Sequence, residues 1–306
     1  MPILTEADYA EQRREMGRTI HENDGVWWET LAPFYTKPAF EFKSFLPKTA
    51  KPRWSKSFFG YSHQVPDRRY ANRILEYMIL EGEDLRHFSM ASLRSEKRNQ
   101  VRKGLKMCEV RPVLDLESCL EDLRQINIAQ AKRLMEDETF CLPYTYYVEH
   151  EREWKSEMRR LFAMPGHDWW GAFHQGILVA YMVTCHVENI RLIQFMKTHT
   201  DHLRLCATDA IYFTALENAC RDPDCHKIVN GAPAREGLNR FKAQFLFKPS
   251  EVFYFTSGAI FHNAAKRLLQ HKDVLRARVL RAANRGMRRR KREALVPSPQ
   301  SDAERP

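Results

Sequence analysis

Alternation of apolar and polar side chains is clearest within residues 168–255. Three segments there place successive side chains on opposite faces, as strands do: residues 169–174, 177–186 and 190–197. Gln175 and Gly176 suit a tight hairpin turn, because glycine readily takes the positive φ that such a turn needs. Glu188 and Asn189 reverse the chain again. The pattern therefore predicts an antiparallel meander of three strands.

A helix and a buried strand are expected to follow the meander. Thr208 or Asp209 is suited to cap a helix that Asp222 and the proline after it would end. Its apolar positions recur every four residues, at Ile211, Ala215 and Ala219. The short apolar run at residues 227–230 then predicts a strand that ends at Asn230 and Gly231. Ligands favour such strand ends, which makes Asn230 a candidate substrate-binding residue.

Composition limits the class of protein. The chain has 306 residues, of which 43% are hydrophobic and 29% are charged, enough to bury a large core in one big domain or two ordinary ones. Residues 1–20 contain no apolar signal segment, and the longest apolar run, residues 176–183, is too short to cross a bilayer. We expect a soluble cytoplasmic protein, with peripheral contact at the inner membrane face as an alternative location.

The formal net charge of +10 is concentrated near the carboxyl terminus. Residues 276–292 hold nine basic side chains and no acidic one, so the rest of the chain carries only 10 − 9 = +1. This basic arm is suited to contact tRNA or other RNA phosphates, an anionic membrane surface, or only solvent. A non-catalytic RNA- or membrane-surface-binding protein that uses the arm is therefore the alternative to an enzyme.

The seven cysteines do not suggest a metal site. No CxxC pair occurs, and the tightest group, Cys220, Cys225 and His226, lacks an obvious fourth ligand. We expect reduced, buried thiols and no metal.

A cluster of cations lies within residues 93–106. Arg98 and Arg102 stand four residues apart, so they share one face of a helix with Lys106 nearby. Guanidinium groups match phosphate oxygens in pairs, which makes these three residues candidates for holding the phosphates of a coenzyme, a nucleotide-linked precursor or a tRNA end. An ordinary solvated helix face is the alternative interpretation.

Two segments together resemble a known family. Residues 93–106 look like the S-x-x-x-R-x-x-x-R-K helix of the Fem-type and BioF2-like acyltransferases of the GNAT superfamily. Gly231 followed by residues 237–245 resembles that family's G…Y/F-K-x-x-F helix, and the element order of residues 168–255 is also similar. The resemblance covers about residues 85–255.

The resemblance implies an α/β fold with a mixed sheet and two GNAT-like lobes, the first of them degenerate, followed by a basic helix. We assign four regions: a degenerate lobe at 1–155, an acyltransferase lobe at 156–258, a basic amphipathic helix at 259–293 and a disordered tail at 294–306.

By the same resemblance, the protein is expected to be an N-acyltransferase. The donor would be an acyl-CoA or an aminoacyl-tRNA, and the acceptor an amine on a small molecule or a cell-envelope precursor. Lys242 matches the lysine of the family's second motif and would stabilise the charge that develops when an amine attacks a carbonyl. Arg98 and Arg102 would lie on the helix beside the groove.

The chain departs from simple GNAT acetyltransferases at the segment that holds the coenzyme pyrophosphate. Those enzymes use a glycine-rich loop, whereas residues 198–207 contain no glycine. Arg204 would compensate by its charge, and since Fem-type relatives also lack the loop, the identity of the donor stays open between the two classes.

The general base is likewise open. The candidates within the acyltransferase lobe are Asp168, His174, His186, Glu188 and Asp209, with water as a further acceptor of the proton. A different coenzyme-A-dependent class uses an HxxxD motif, which His63 and Asp67 match without its flanking residues.

Overall fold

The structure is a computed structural model that describes residues 2–32, 35–134 and 142–258. Within these ranges eleven strands form a single sheet. The first five strands are β1 (Thr19–Asn23), β2 (Val26–Ala32), β3 (Tyr35–Pro38), β4 (Gly60–Gln64) and β5 (Arg73–Glu81). The other six are β6 (Glu109–Pro112), β7 (His167–His174), β8 (Ile177–Val187), β9 (Ile190–Thr198), β10 (Lys227–Val229) and β11 (Lys248–Ser257).

The α-helices in the same ranges pack on this sheet. They are α1 (Glu6–Glu15), α2 (Gly82–Arg86), α3 (Ser95–Met107), α4 (Leu120–Arg133), α5 (Tyr144–Glu149), α6 (Glu151–Ala163), α7 (Ala207–Cys220) and α8 (Glu236–Gln244). The predicted α/β class with a mixed sheet is therefore confirmed.

The predicted antiparallel meander is present as β7, β8 and β9. Gln175 and Gly176 have φ values of +53° and +82°, so both residues of the first turn take the left-handed conformation that matches the twist of a hairpin. Glu188 in the second turn has φ +53°. Turn chemistry and alternation therefore predicted these three strands correctly.

The helix α7 and the strand β10 also follow the prediction, but the predicted cap of α7 is wrong. The residue before the helix is Cys206, in the left-handed region at φ +57°, and its side chain makes no capping bond. Thr208 and Asp209 lie inside the first turn of the helix. Their side chains have tertiary partners instead, Thr198 for Thr208 and Lys97 for Asp209.

The order of strands in the sheet is β1-β2-β3-β4-β11-β5-β10-β9-β8-β7-β6. β10 is parallel to β9 and antiparallel to β5, and β11 lies antiparallel between β5 and β4. A strand from the first third of the chain thus sits between two strands from the last third. The division into lobes at residue 155 stays a prediction, and one continuous sheet joins segments from both sides of it.

Helices cover both faces of the sheet around β8. Alternate β8 residues such as Ala180 and Met182 pack with Ile211 of α7, whereas Tyr181 and Val183 pack in a second cluster with α4 and α6. The core therefore lies in two layers, one on each side of the meander.

The predicted basic helix at 259–293, with its basic arm at 276–292, and the predicted tail at 294–306 all lie outside the described residues.

Candidate active site where two parallel strands part

A cavity begins where β9 and β10 separate. The two strands pair in parallel over three residue pairs, the last of which joins Leu192 to Val229. β10 ends there, while β9 continues to Thr198. A cavity of about 410 Å³ lies beside the continuing part of β9, and its wall includes Met196, Thr198, Tyr212, Asn230, Phe241 and Lys242. The cavity thus adjoins the strand end at which the sequence predicted a ligand to bind.

The strand β9 is irregular at the same point. Val183 of β8 pairs with Phe195 of β9, but the next residue, Thr184, pairs with Ile193. Gln194 is therefore the extra residue of a β-bulge in β9. Beyond Leu192, none of the described strands pairs with the edge of β9 that faces away from β8. Backbone N–H and C=O groups on this edge are suited to bind an extended ligand that lies along the strand.

Lys242 lies in the wall of the cavity with only 4% of its surface exposed. Its Nζ atom donates to the backbone oxygens of Asn230, at 2.6 Å, and Ala232, at 3.2 Å. Burial lowers the pKa of this amine, and no described carboxylate offsets that effect. An ammonium has three N–H donors, so the two backbone bonds leave one for a ligand.

Tyr212 and Asn230 form the other polar part of this wall. The side-chain amide of Asn230 donates to the hydroxyl of Tyr212 in a close contact. Tyr212 is buried, and burial raises the pKa of its phenol, so the hydroxyl keeps its proton at neutral pH. The rings of Phe241 and Phe245 pack against it, with centroids at 5.2 Å and 4.7 Å.

Sequence reasoning did not identify Tyr212. It belongs to an apolar segment of α7 in which most side chains are buried core, and the pattern gives no sign that its hydroxyl meets the strand end. Only the three-dimensional pairing with Asn230 reveals it.

The predicted site residues fall into two groups. Lys242 and Asn230 lie together in the cavity wall. Arg98 is half-buried on α3, whereas Arg102 and Lys106 of the same helix and Arg204 are exposed, and none of these four cations lines the cavity. A role for them in binding phosphates remains a prediction.

The segment that replaces the glycine-rich loop is a short 3-10 helix, Thr200–Leu205, which carries Arg204. Helix α3 packs tightly against the start of α7, because a Cβ atom on Gly104 would lie 2.3 Å from the carbonyl oxygen of Cys206. The first turn of α7 is therefore covered on one side by α3.

Of the predicted general-base candidates, none lines this cavity. The carboxylate of Asp209 is 2.6 Å from Nζ of Lys97. That of Glu188 accepts from the backbone N–H of Glu6 at 3.0 Å. Nδ1 of His174 lies 2.7 Å from the carbonyl oxygen at the last residue of α3. All three therefore have structural partners.

Asp168 and His186 belong to a second cavity, of about 400 Å³, near the start of β9. Arg191 reaches Asp168 at 2.5 Å and Asp222 at 3.1 Å, and Nδ1 of His186 lies 3.4 Å from Asp222. Burial, followed by the charge of Arg191, lowers the pKa of His186. This network joins β7, β8 and β9 to the segment after α7, which is a structural role.

The HxxxD match does not form a catalytic pair. His63 is fully buried, with its ring stacked on Phe45 at a centroid distance of 4.0 Å. Asp67 accepts from the backbone N–H of Arg69 instead. A substrate has no access to His63, so the HxxxD interpretation fails.

Two kinds of feature are absent from the described parts of the chain. No group of three or more His, Cys, Asp or Glu side chains there is arranged to hold a metal ion, and the cysteines described there are free. None of the helices in these parts is long and apolar enough to span a bilayer.

No family model and no curated protein matches the sequence, but solved structures match most of the chain. The carboxyl-terminal domain of a protein assigned as a lysylphosphatidylglycerol synthetase from Agrobacterium fabrum is 11% identical, with a TM-score of 0.55 over 87% of this chain and 96% of that one. FemX is 10% identical, with a TM-score of 0.54 over 84% and 92% of the two chains. L-PGS from Bacillus licheniformis is 13% identical, with a TM-score of 0.52 over 91% and 98%.

This protein therefore shares the fold of FemX and of the lysylphosphatidylglycerol synthetase domain, in agreement with the resemblance of the two sequence motifs to Fem-type proteins. Identities this low establish the fold alone, since one fold hosts many activities.

Proposed function

We propose that this protein transfers an acyl or aminoacyl group from an activated donor to an amine. The supporting observation is that Asn230 contacts two polar groups of the cavity wall, Lys242 through its backbone oxygen and Tyr212 through its side chain. An ammonium and a protonated phenol are thus both bonded to Asn230, the residue that follows β10. The family that the sequence motifs resemble performs this chemistry.

The donor is proposed to lie along the open edge of β9. Its acyl or aminoacyl chain would bind the backbone groups around the bulge at Gln194, and the apolar wall at Met196 and Phe241 would cover it. An acyl-CoA or an aminoacyl-tRNA would extend its phosphates out of the cavity, toward Arg98, Arg102, Lys106 or Arg204 in our proposal. The acceptor is an amine of a small molecule or of a cell-envelope precursor.

In the reaction, the amine nitrogen attacks the carbonyl carbon and negative charge builds on the carbonyl oxygen. The remaining N–H of Lys242 and the O–H of Tyr212 would stabilise that charge as fixed donors. The bond from carbon to sulfur or oxygen then breaks. Water carries the proton released by the amine to the departing thiolate or alkoxide, which leaves an amide and a neutral thiol or alcohol.

The test is a transfer assay with the purified full chain. It is incubated with a panel of acyl-CoAs or charged tRNAs and a panel of amines, and amide products are identified by mass spectrometry. We expect product from one donor class. Lys242→Met should slow its formation by about 10²- to 10³-fold, the usual effect of removing one such donor.

Lys248→Met is the matched control, because this exposed lysine of β11 pairs with Asp84 outside the cavity. It should keep the wild-type rate. Equal rates for both variants would refute the proposed role of Lys242. No product from any donor would refute the transfer itself and favour a non-catalytic protein that binds RNA or a membrane through residues 276–292.

A further inference from the structure

The loop between β3 and β4 presents aromatic side chains to solvent. Trp54 is 76% exposed and Phe58 is 56% exposed. Their ring centroids are 5.6 Å apart at an interplanar angle of 86°, and the ring of Phe59 continues the group at 5.4 Å from Phe58. A contiguous aromatic surface of this kind marks a contact site, because single exposed apolar residues are common but clusters are not.

Positive charge surrounds these rings. Residues 42–66 contain no Asp or Glu and five basic residues, namely Lys43, Lys48, Lys51, Arg53 and Lys56. Lys51, Arg53 and Lys56 are exposed. Burial, and after it the charges of Arg53 and Lys56, lower the pKa of His21, so both cations lie near the edge strand β1. The aromatic surface is thus flanked by basic groups.

We propose that this loop, residues 46–58, docks on an anionic lipid bilayer. Trp54 and Phe58 would enter the boundary between headgroups and acyl chains, where amphipathic rings are favoured, while Lys51, Arg53 and Lys56 meet lipid phosphates. This surface is separate from both cavities, and the proposal does not depend on acyl transfer.

The geometry favours a bilayer over single-stranded RNA. Bases stack on open aromatic faces aligned along a basic groove. Here Trp54 and Phe58 pack edge to face on an irregular loop, so one ring covers part of the other. Insertion into a bilayer has no such requirement, since it depends on apolar area and charge.

The first experiment measures quenching of tryptophan fluorescence by brominated lipids. Full-length protein is mixed with phosphatidylcholine vesicles that contain about one third phosphatidylglycerol, a composition that attracts basic surfaces. Trp28, Trp154 and Trp169 are buried and Trp27 and Trp170 are half-buried, so Trp54, at 76% exposure, is the most accessible indole. We expect quenching in the wild type and its loss in Trp54→Phe, which should still bind. Vesicle binding without quenching of Trp54 would assign the contact to residues 276–292 and overturn the proposal.

The second experiment compares partition coefficients. Trp54→Ser/Phe58→Ser should bind the same vesicles at least about tenfold more weakly, because two apolar contacts with lipid are lost. Leu114→Ser is the control, since Leu114 is 81% exposed but lies outside this loop; it should bind as the wild type does. Thermal unfolding of each variant checks that it is folded. The proposal would be refuted if the double variant bound vesicles normally, or if it lost only its binding to single-stranded RNA.

Discussion

Lys97 and Asp209 form an ion pair across the contact between α3 and α7, with Nζ 2.6 Å from Oδ1. Only 2% of Lys97 is exposed. The same ammonium lies 4.8 Å from the ring centroid of Phe241 in α8 and 5.2 Å from that of Phe245, the residue after this helix. One side chain therefore joins three helices, and two of them, α7 and α8, supply the wall of the proposed active site.

Removing this ammonium should destabilise the fold strongly. Lys97→Ala leaves the carboxylate of Asp209 without its partner in a mostly buried position, which typically costs about 3–5 kcal/mol. Urea unfolding measures the change. The double variant Lys97→Ala/Asp209→Ala should lose less than the single one, because no unpaired charge remains. A loss below about 1 kcal/mol for Lys97→Ala would mean that the pair is effectively solvated.

The contact between α3 and α7 should also tolerate no larger side chain at Gly104. An added Cβ would lie 2.3 Å from the oxygen of Cys206 and 2.8 Å from Cβ of Ala210, so the helices would have to move apart. We expect Gly104→Ala to destabilise the protein by about 1–3 kcal/mol in the same unfolding assay.

Gly237 provides the matched control for that substitution. It lies in α8, where an added Cβ would meet nothing within 4 Å. Alanine favours a helix over glycine, so Gly237→Ala should be neutral or stabilising by up to about 1 kcal/mol. If both variants behaved alike, helix propensity and not packing would explain the result.

Local sequence patterns correctly predicted those elements that are determined by residues close together in the chain. The turn at Gln175 and Gly176, the alternation in β8 and the strand end at Asn230 each depend on residues close in the chain. Lys242 was then placed in the site by resemblance, and the structure puts it beside Asn230.

The features that were missed depend on contacts between distant segments. The position of β5 between β10 and β11 joins strands more than a hundred residues apart. Among the cations of α3, sequence spacing selected Arg98 and Arg102 as candidate site residues. The buried cation is instead Lys97, because its partner Asp209 lies on another helix. Charge spacing on one helix does not reveal which side of it will face the core.

Stability should fall as the solution becomes mildly acidic, in part because of His63. Burial lowers the pKa of this imidazole below its ordinary value of about 6.5. As the pH falls through that value, the unfolded chain binds a proton that the folded protein does not, so the folded state loses stability until the pH reaches the lower folded pKa. His63→Phe keeps a ring against Phe45 and removes this proton. Its unfolding free energy should depend less on pH between about 7 and 5 than that of the wild type.

Tyr212 provides the sharpest test of the proposed chemistry. Tyr212→Phe removes the hydroxyl but keeps the ring packed on Phe241 and Phe245, so the fold should lose only about 1 kcal/mol, the value of one hydrogen bond. With the donor and amine that give product, kcat should fall by about 10- to 100-fold while KM changes little, since the bond forms only as charge develops on the carbonyl oxygen.

Combining this substitution with Lys242→Met then shows whether the two donors act on one oxygen. Groups that act as a unit are not additive, so the double variant should be slowed by clearly less than the product of the two single effects. Full additivity would instead mean that the two groups act independently. An increase in KM with unchanged kcat for Tyr212→Phe would mean that the hydroxyl only positions Asn230. In that case Lys242 would remain as the proposed donor to the carbonyl oxygen.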